Sequence, residues 1–247
     1  MAQTVPEAAA RELTPSGNLR AAINYGNPVL AQKGGDGEPR GVSADLAREL
    51  ARRLGKPVEF VEFSSAGATF QALEKDAWDI AFLGNDPKRA EQIAFTAPYV
   101  TIEGAYLVPA GSPLTKNEDV DRAGVRIAVG KGSAYDLFLK REIKAATLIE
   151  APTSAGAVDL FVSEKLDVAA GVKQPLDAYA KAHPDVRLLP GRFMVINQAV
   201  GTPKTRAAAA AYPSDFVEEA KASGFVAHAL AASGQSDASV APPSPKN

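Results

Sequence analysis

The sequence has no cysteine, only two histidines and only one tryptophan among its 247 residues. The absence of cysteine excludes a disulfide scaffold, a thiol nucleophile and a cysteine-bound metal. The histidines, His183 and His228, are far apart, and neither has a partner at metal-ligand spacing. We therefore expect surface or helix-end histidines, no metal site and no cofactor.

Long apolar runs and a strong charge bias are also missing. No apolar run approaches the roughly 20 residues that a membrane helix needs. The net charge is −2 and both signs are interspersed, so nothing indicates a nucleic-acid partner. The first six residues, Met1 to Pro6, resemble a mature secreted start with an added Met, so we expect a periplasmic protein whose signal peptide is absent; a native cytosolic start is the alternative.

The chain alternates strands and helices twice. The first series predicts strands at 19–24, 58–63 and 78–83, with helices from Ser43 and at 68–76. The second series predicts strands at 125–129, 147–150 and 167–170, and helices at 134–142, 153–165 and 174–182. Such alternation predicts an α/β fold with doubly wound parallel sheets.

Two extended segments, at 99–108 and 192–200, follow the two series, and helices follow at 205–223 and 224–232, interrupted by Pro213. If both extended segments are crossovers, the last helices return to the first lobe. The ends of the chain, 1–16 and 233–247, are Ala-rich or Ser/Pro-rich, and we expect loose termini there.

One segment, from Asp79 to Tyr99, indicates a binding site. A buried strand at 80–83 leads into a turn at Gly84, Asp86 is placed to cap a short helix, and Arg89 lies in the first turn of that helix. Open α/β sheets bind ligands at the carboxyl ends of their strands. Because Arg binds flat anions through two parallel hydrogen bonds, we predict a site for a small organic anion.

These features resemble the family 3 periplasmic solute-binding proteins of ABC importers, of the polar-amino-acid-binding type, over about residues 17 to 232. The motifs that carry the resemblance are Gly17-Asn18-Leu19-Arg20, Gly41-Val42-Ser43-Ala44-Asp45-Leu46-Ala47, Trp78-Asp79-Ile80-Ala81, Pro87-Lys88-Arg89, Phe95-Thr96-Ala97-Pro98-Tyr99 and Val129-Gly130-Lys131-Gly132-Ser133. The resemblance implies a type II periplasmic binding protein fold: lobe 1 at 17–103 plus 197–232, lobe 2 at 104–196, and two hinge strands. It also implies a monomer that closes over its ligand and delivers it to a membrane permease.

The resemblance assigns roles to particular residues. Arg89 clamps the ligand carboxylate, and the turn at Gly132, Ser133 and Ala134 supplies backbone N–H groups from the opposite lobe. A Gly-Ser turn that opens a helix is an anion-binding element in its own right. The alternatives are a surface Arg89 paired with Asp86 or Glu91, and a Ser133 that only caps its helix.

Departures from the family pattern bear on the ligand. The acidic residue that holds an amino acid's α-ammonium is replaced by Val172, followed by Lys173, and the aromatic platform is replaced by Ala66. Asp86 stands in place of the usual Thr, and Phe82 in place of a Ser. A buried ammonium without a counter-charge is unfavourable, so we expect a carboxylate ligand that is not a standard α-amino acid.

Some roles stay open at this point. Lys173 faces a second anionic group of the ligand, or it lies at the cleft rim in water. Asn24, Tyr25 and Asn27 contact the far end of the ligand, or the asparagines only form turns. The rival function is a cyclohexadienyl-dehydratase-like enzyme on the same fold, with Asp86 or Lys173 as proton donor, although no acid and base are paired at convincing spacing.

Overall fold

The computed structural model describes residues 5–245. The strands of this part of the chain, β1 to β12 in order, are Leu19–Asn24, Gln32–Lys33, Pro39–Arg40, Val58–Phe63, Ile80–Gly84, Ile93–Pro109, Arg126–Gly130, Thr147–Ala151, Val168–Val172, Val186–Leu188, Met194–Pro203 and Ser239–Val240. The α-helices, α1 to α8, are Glu7–Leu13, Val42–Leu54, Ala66–Gln71, Ala134–Glu142, Ser154–Ser163, Lys173–Ala182, Ala211–Ala222 and Phe225–Ala232. Within residues 5–245, none of the helices combines the length and the apolar character that crossing a bilayer requires.

The chain divides into two compact units. Of the described residues, unit 1 holds 5–64, 68–101 and 197–245, and unit 2 holds 65–67 and 102–196. The chain passes from unit 1 to unit 2 within β6 and returns within β11. The lobe boundaries that the sequence suggests, at 103/104 and 196/197, lie in the same two strands.

Unit 1 is built on a sheet in which β1 lies between β4 and β5, parallel to both. The register pairs Leu19 with Val58 and Ala21 with Ile80, and β11 adds to β5 in the antiparallel direction. Every residue of β5 is buried, as expected for a strand covered on both faces. Parallel pairing puts the carboxyl ends of β1, β4 and β5 at one edge of this sheet.

Helix α2 covers this sheet with an apolar face. Leu46 and Leu50, one turn apart, are at most 1 % exposed. The helix ends at Gly55, which adopts the left-handed conformation (φ 63°) that favours glycine at this position.

In unit 2, β7 lies between β8 and β9 and is parallel to both. Strand β6 pairs antiparallel with β9, and β10 pairs with β6. One core cluster joins strand residues to helices α5 and α6; its members include Ala105, Leu107, Ala169, Phe161 and Leu176. Here too the carboxyl ends of the parallel strands, at Gly130, Ala151 and Val172, share one edge.

The expectation of loose termini is wrong where helix α1 and strand β12 lie. Helix α1 buries Ala9 and Leu13, and Glu12 accepts hydrogen bonds from Arg206 and from the Ala209 amide. At the other end, β12 pairs with β6. The interpretation of the first residues as a secreted start falls mainly on 1–4, which lie outside the described residues.

Three predicted helices differ in detail. The short helix after Asp86 is a single 3-10 turn, Arg89–Glu91, and the helix expected at 68–76 begins at Ala66 and finishes as the 3-10 turn Ala72–Lys75. Pro213 does not interrupt a helix: it is the third residue of α7, in the first turn, where a missing N–H breaks no intrahelical bond.

Candidate functional site

Arg89 is a fully buried cation just beyond the carboxyl end of β5. Its side chain is 0 % exposed, and its Nη1 donates to the carbonyl of Gly84, the last residue of the strand, at 2.8 Å. The alternative of a surface arginine is therefore wrong. The strand, the turn and the following 3-10 turn together hold a guanidinium at the edge of the sheet where ligands bind in open α/β folds.

Burial sets the electrostatic state of Arg89. Loss of water around the guanidinium lowers its pKa to about 10, and the charge of Asp86 partly opposes this shift. The side chain still carries its charge at neutral pH. A negative group next to it would favour the charged form and offset part of the desolvation penalty.

Asp86 has a structural role in the same turn. It is 4 % exposed, and its Oδ1 accepts a hydrogen bond from the Lys88 amide at 2.9 Å. The expected N-cap position is wrong, since the 3-10 turn has its N-cap at Lys88. Asp86 instead forms an Asx turn, in which an Asp side chain accepts from a backbone N–H two residues on.

The two asparagines of the predicted site lie at the end of β1, at Asn24, and in the loop that follows, at Asn27. Asn24 Oδ1 accepts from the Gly26 amide at 2.9 Å, and Asn27 Oδ1 accepts from the Val29 amide at 3.3 Å. Both are at most 8 % exposed. Their carbonyl oxygens therefore form Asx turns, which is the alternative role considered for them.

Tyr25, between these asparagines, has a buried hydroxyl group near the Glu62 carboxylate. Burial, followed by the nearby Glu62 carboxylate, raises the pKa of Tyr25 to about 12. Lys33 Nζ lies 5.8 Å from the centre of the ring. The hydroxyl remains a neutral donor and acceptor at physiological pH.

Phe82 lies in the core of unit 1. It is 2 % exposed and meets Tyr99 edge to face, with ring centroids 6.1 Å apart. Aromatic packing accounts for this side chain, and its contact with a ligand stays a prediction.

In unit 2, the turn between β7 and α4 uses most of its own donors. Ser133 caps the helix, since its Oγ accepts from the Asp136 amide at 3.0 Å. The Gly132 amide donates to Asp136 Oδ2 at 2.7 Å, and the Ser133 amide donates to the Gly130 carbonyl at 3.1 Å. The expectation that residues 132–134 all offer N–H groups to a ligand is therefore wrong for the first two. The Ala134 amide has no acceptor within residues 5–245.

Gly132 cannot be replaced without strain. Its φ is +71°, and an added Cβ would lie 2.8 Å from the Cα of Gly67. Both the backbone conformation and the close approach require glycine, so the turn has one well-defined shape.

Lys173, the first residue of α6, lies in an ion-pair cluster. Its Nζ is 2.7 Å from Glu103 Oε2, and Arg192 Nη1 is 2.7 Å from Glu103 Oε1. The two cations lower the pKa of Glu103. The Lys173 side chain is 42 % exposed, so this lysine is partly in water and also ion-paired.

Glu103 is one of two charged residues of this cluster, with Arg192, that the sequence analysis missed. It lies 70 positions before Lys173, and no local motif marks it. The pairing of β6 with β9, which places Gly104 opposite Val172, brings the two together. Only knowledge of that register would have found it.

The histidines stand apart from both regions. His183 ends α6 and stacks on Tyr179, with ring centroids 3.9 Å apart, and His228 lies within α8. Among the residues that the structure describes, no three or more His, Cys, Asp or Glu side chains are grouped to hold a metal ion.

Comparison with known structures supports the fold. The L-cysteine solute receptor of Neisseria gonorrhoeae matches with a TM-score of 0.79 and 20 % identity, covering 91 % of this chain and 93 % of that one. An L-arginine-bound substrate-binding protein of an amino-acid ABC transporter from Streptococcus pneumoniae matches with a TM-score of 0.77 and 19 % identity, covering 94 % and 99 %. The ancestral amino-acid-binding protein AncCDT-1, a precursor of cyclohexadienyl dehydratase, matches with a TM-score of 0.74 and 23 % identity, covering 90 % and 98 %.

These matches show the type II periplasmic binding protein fold. The sequence is also matched, over residues 19–232, by the family model described as bacterial extracellular solute-binding proteins, family 3. That range covers most of the chain, and the chain belongs to this family of extracellular solute-binding proteins.

Proposed function

We propose that this protein captures a small solute carrying a carboxylate, through Arg89, and delivers it to the membrane permease of an ABC importer. The observation that carries the proposal is the buried guanidinium of Arg89 at the carboxyl end of β5. Burial lowers its pKa, which means that the charged form is poorly solvated. A carboxylate bound there would replace the missing water with a charge-assisted, bidentate contact.

In unit 2, the proposed donor to the carboxylate is the amide of Ala134. It is the first residue of α4, a helix of nine residues with its N-cap at Ser133. The amides of Gly132 and Ser133 are already used within the turn. Of the three backbone donors expected at residues 132–134, the proposal therefore keeps one, the Ala134 amide. That the two lobes close over the ligand follows from the family resemblance and stays a prediction.

The proposed ligand lacks a free α-ammonium group. The similar proteins named above bind L-cysteine and L-arginine, and an amino acid shares the carboxylate with the proposed ligand. The last residue of β9 is Val172 rather than an acidic residue, and the next residue adds a positive charge. An ammonium brought to that point would meet Lys173 with the same sign of charge.

A dehydratase-like enzyme is the alternative, and AncCDT-1 gives it some weight by its likeness in fold. Its proton donor would have to be Asp86 or Lys173, and both side chains have other partners. Asp86 accepts a hydrogen bond from the Lys88 amide, and Lys173 is ion-paired with Glu103. Glu103, the partner of Lys173, is also poorly suited as a proton donor, because its pKa is lowered, whereas a carboxyl group that acts as a general acid near neutral pH needs a raised pKa. These contacts favour binding without chemistry.

Other parts of the proposal come from the family rather than from a contact. They are a periplasmic location, a monomeric state and the permease as partner. The family description, extracellular solute-binding proteins, supports export from the cytoplasm.

The proposal is tested by identifying the ligand. Native mass spectrometry of the purified protein would detect a co-purified solute, and thermal shift would then compare organic acids with amino acids. A ligand at a hundred times its dissociation constant stabilises the folded state by about 2.7 kcal/mol, a readily measured shift. We expect carboxylates without an amino group to stabilise the protein most. Stabilisation by standard amino acids alone would contradict the proposed ligand class, and turnover of prephenate would favour the enzyme.

A further inference from the structure

The ion-pair cluster of unit 2 has an asymmetric arrangement. Glu103 uses one carboxylate oxygen for each cation: Oε2 for Lys173 Nζ and Oε1 for Arg192 Nη1, both at 2.7 Å. The side chains of Glu103, Lys173 and Arg192 are 31 %, 42 % and 54 % exposed, respectively. The cluster therefore carries one net positive charge and is accessible at its surface.

The cluster lies next to the position where the family resemblance implies contact with the ligand's ammonium group. The acidic residue expected there would be the last residue of β9, which is Val172. Val172 pairs with Gly104 of β6, so the residue before Gly104 is opposite the residue after Val172. Glu103 of the neighbouring strand thus supplies a carboxylate one residue away from that position.

We propose that Lys173 Nζ occupies on Glu103 the place of a ligand ammonium group, so that Glu103 and Lys173 together exclude α-amino acids. This inference deepens the proposed function and rests on it. A lysine side chain ends in a primary ammonium group, as an amino acid does at neutral pH, and both donate up to three hydrogen bonds. The protein carries the cation itself, and the ligand therefore needs none.

The charges explain the direction of the selectivity. With Lys173 present, a second ammonium would raise the local charge from +1 to +2 and would find Glu103 Oε2 occupied. Without Lys173, the cluster would be neutral, and a ligand ammonium on Glu103 would restore the present charge. Arg192 would keep its own contact with Oε1 in both cases.

The test measures affinity by calorimetry for matched probe pairs: L-leucine with 4-methylpentanoate, L-glutamate with glutarate, and L-phenylalanine with 3-phenylpropanoate. The proteins are the wild type, Lys173→Met, and Lys173→Met combined with Glu103→Gln. Lys181→Met is the matched control, because Lys181 is a lysine of the same helix whose ion-pair partner is Asp177. Circular dichroism checks that each variant is folded.

We expect the wild type to prefer the acid without the amino group in every pair that binds. Lys173→Met should reduce or reverse that preference by about tenfold or more, the usual effect of one charge-assisted hydrogen bond. Adding Glu103→Gln to Lys173→Met should remove the gain in affinity for the amino acid. Lys181→Met should have the same affinities as the wild type.

Three results would overturn the inference. They are an unchanged preference in Lys173→Met, a gain that persists after Glu103→Gln, and a wild type that already prefers amino acids. If the wild type binds the acids and Lys173→Met does not alter the preference, the proposed function survives without this inference. If no carboxylate binds the wild type, both fail together.

Discussion

The buried carboxylate of Asp79 should be one of the largest single contributors to the stability of unit 1. Its side chain is 0 % exposed, and it accepts from the Arg20 amide at 2.8 Å, from Arg20 Nη2 at 2.7 Å and from Arg206 Nη1. Arg20 belongs to β1 and Arg206 precedes the C-terminal helices. One carboxylate thus joins a central strand to a segment that is distant in sequence.

Asp79→Ala would leave these two arginines, whose side chains are 18 % and 12 % exposed, without their buried partner. Removing one partner of a buried ion pair typically costs about 3–5 kcal/mol, mainly because the remaining charge stays desolvated. Asp76 is a matched control: it pairs with the same two arginines, but its side chain is 68 % exposed. For Asp76→Asn, which also tolerates the left-handed backbone of this position (φ 48°), we expect less than about 1 kcal/mol.

Urea unfolding followed by circular dichroism gives the free energy of unfolding of each variant, and an unchanged m-value shows that the comparison is valid. The reasoning predicts a clear separation between the two substitutions. If both lowered the free energy of unfolding by less than about 1 kcal/mol, burial would not be the quantity that makes this network stabilising.

Two further predictions concern the C-terminal segment and acid stability. Deleting residues 233–247 should lower the free energy of unfolding by roughly 1–3 kcal/mol, because the pairing of β12 with β6 and the burial of Ala241 are lost; an unchanged urea midpoint would contradict this. Glu49 has a pKa of about 2 because Arg52 and Arg53 bind its carboxylate. Because the pKa of Glu49 is lower in the folded state than the ordinary value of 4.5, the ionised carboxylate stabilises the folded state above pH 4.5. This stabilisation is lost as the pH falls from 4.5 to about 2. The free energy of unfolding of Glu49→Gln should therefore fall less over that pH range than that of the wild type. Parallel plots of the free energy of unfolding against pH for the two proteins would refute the prediction.

The sheets were predictable because their strands are short apolar runs. The run Ile80–Gly84 is buried throughout, and its pattern alone indicates a covered parallel strand. The termini were not predictable in the same way. Helix α1 is short, and its Leu13 is buried by packing that local sequence does not encode. Strand β12 has two residues and exists through pairing with β6, which no local pattern reveals.

The residues of the candidate site also differ in whether the local sequence reveals them. Arg89 and Ser133 follow local rules, since each lies at a turn after a predicted strand. Glu103 depends on which residues of β6 and β9 face each other, and that register is a tertiary property. The internal use of the Gly132 amide was also missed, although Asp136 three residues after the Ser133 cap is the spacing of a capping box.

The most direct test of the account is the affinity of Arg89→Lys for the solute that co-purifies with the wild type, measured by calorimetry on ligand-free protein. Lysine keeps the charge but not the planar fork that holds a carboxylate. We predict a loss of about ten- to a hundredfold, corresponding to roughly 1.5–3 kcal/mol. Arg52→Lys, at an exposed arginine of α2, should bind as the wild type does. Equal affinity in a folded Arg89→Lys protein would contradict the claim that Arg89 binds the ligand.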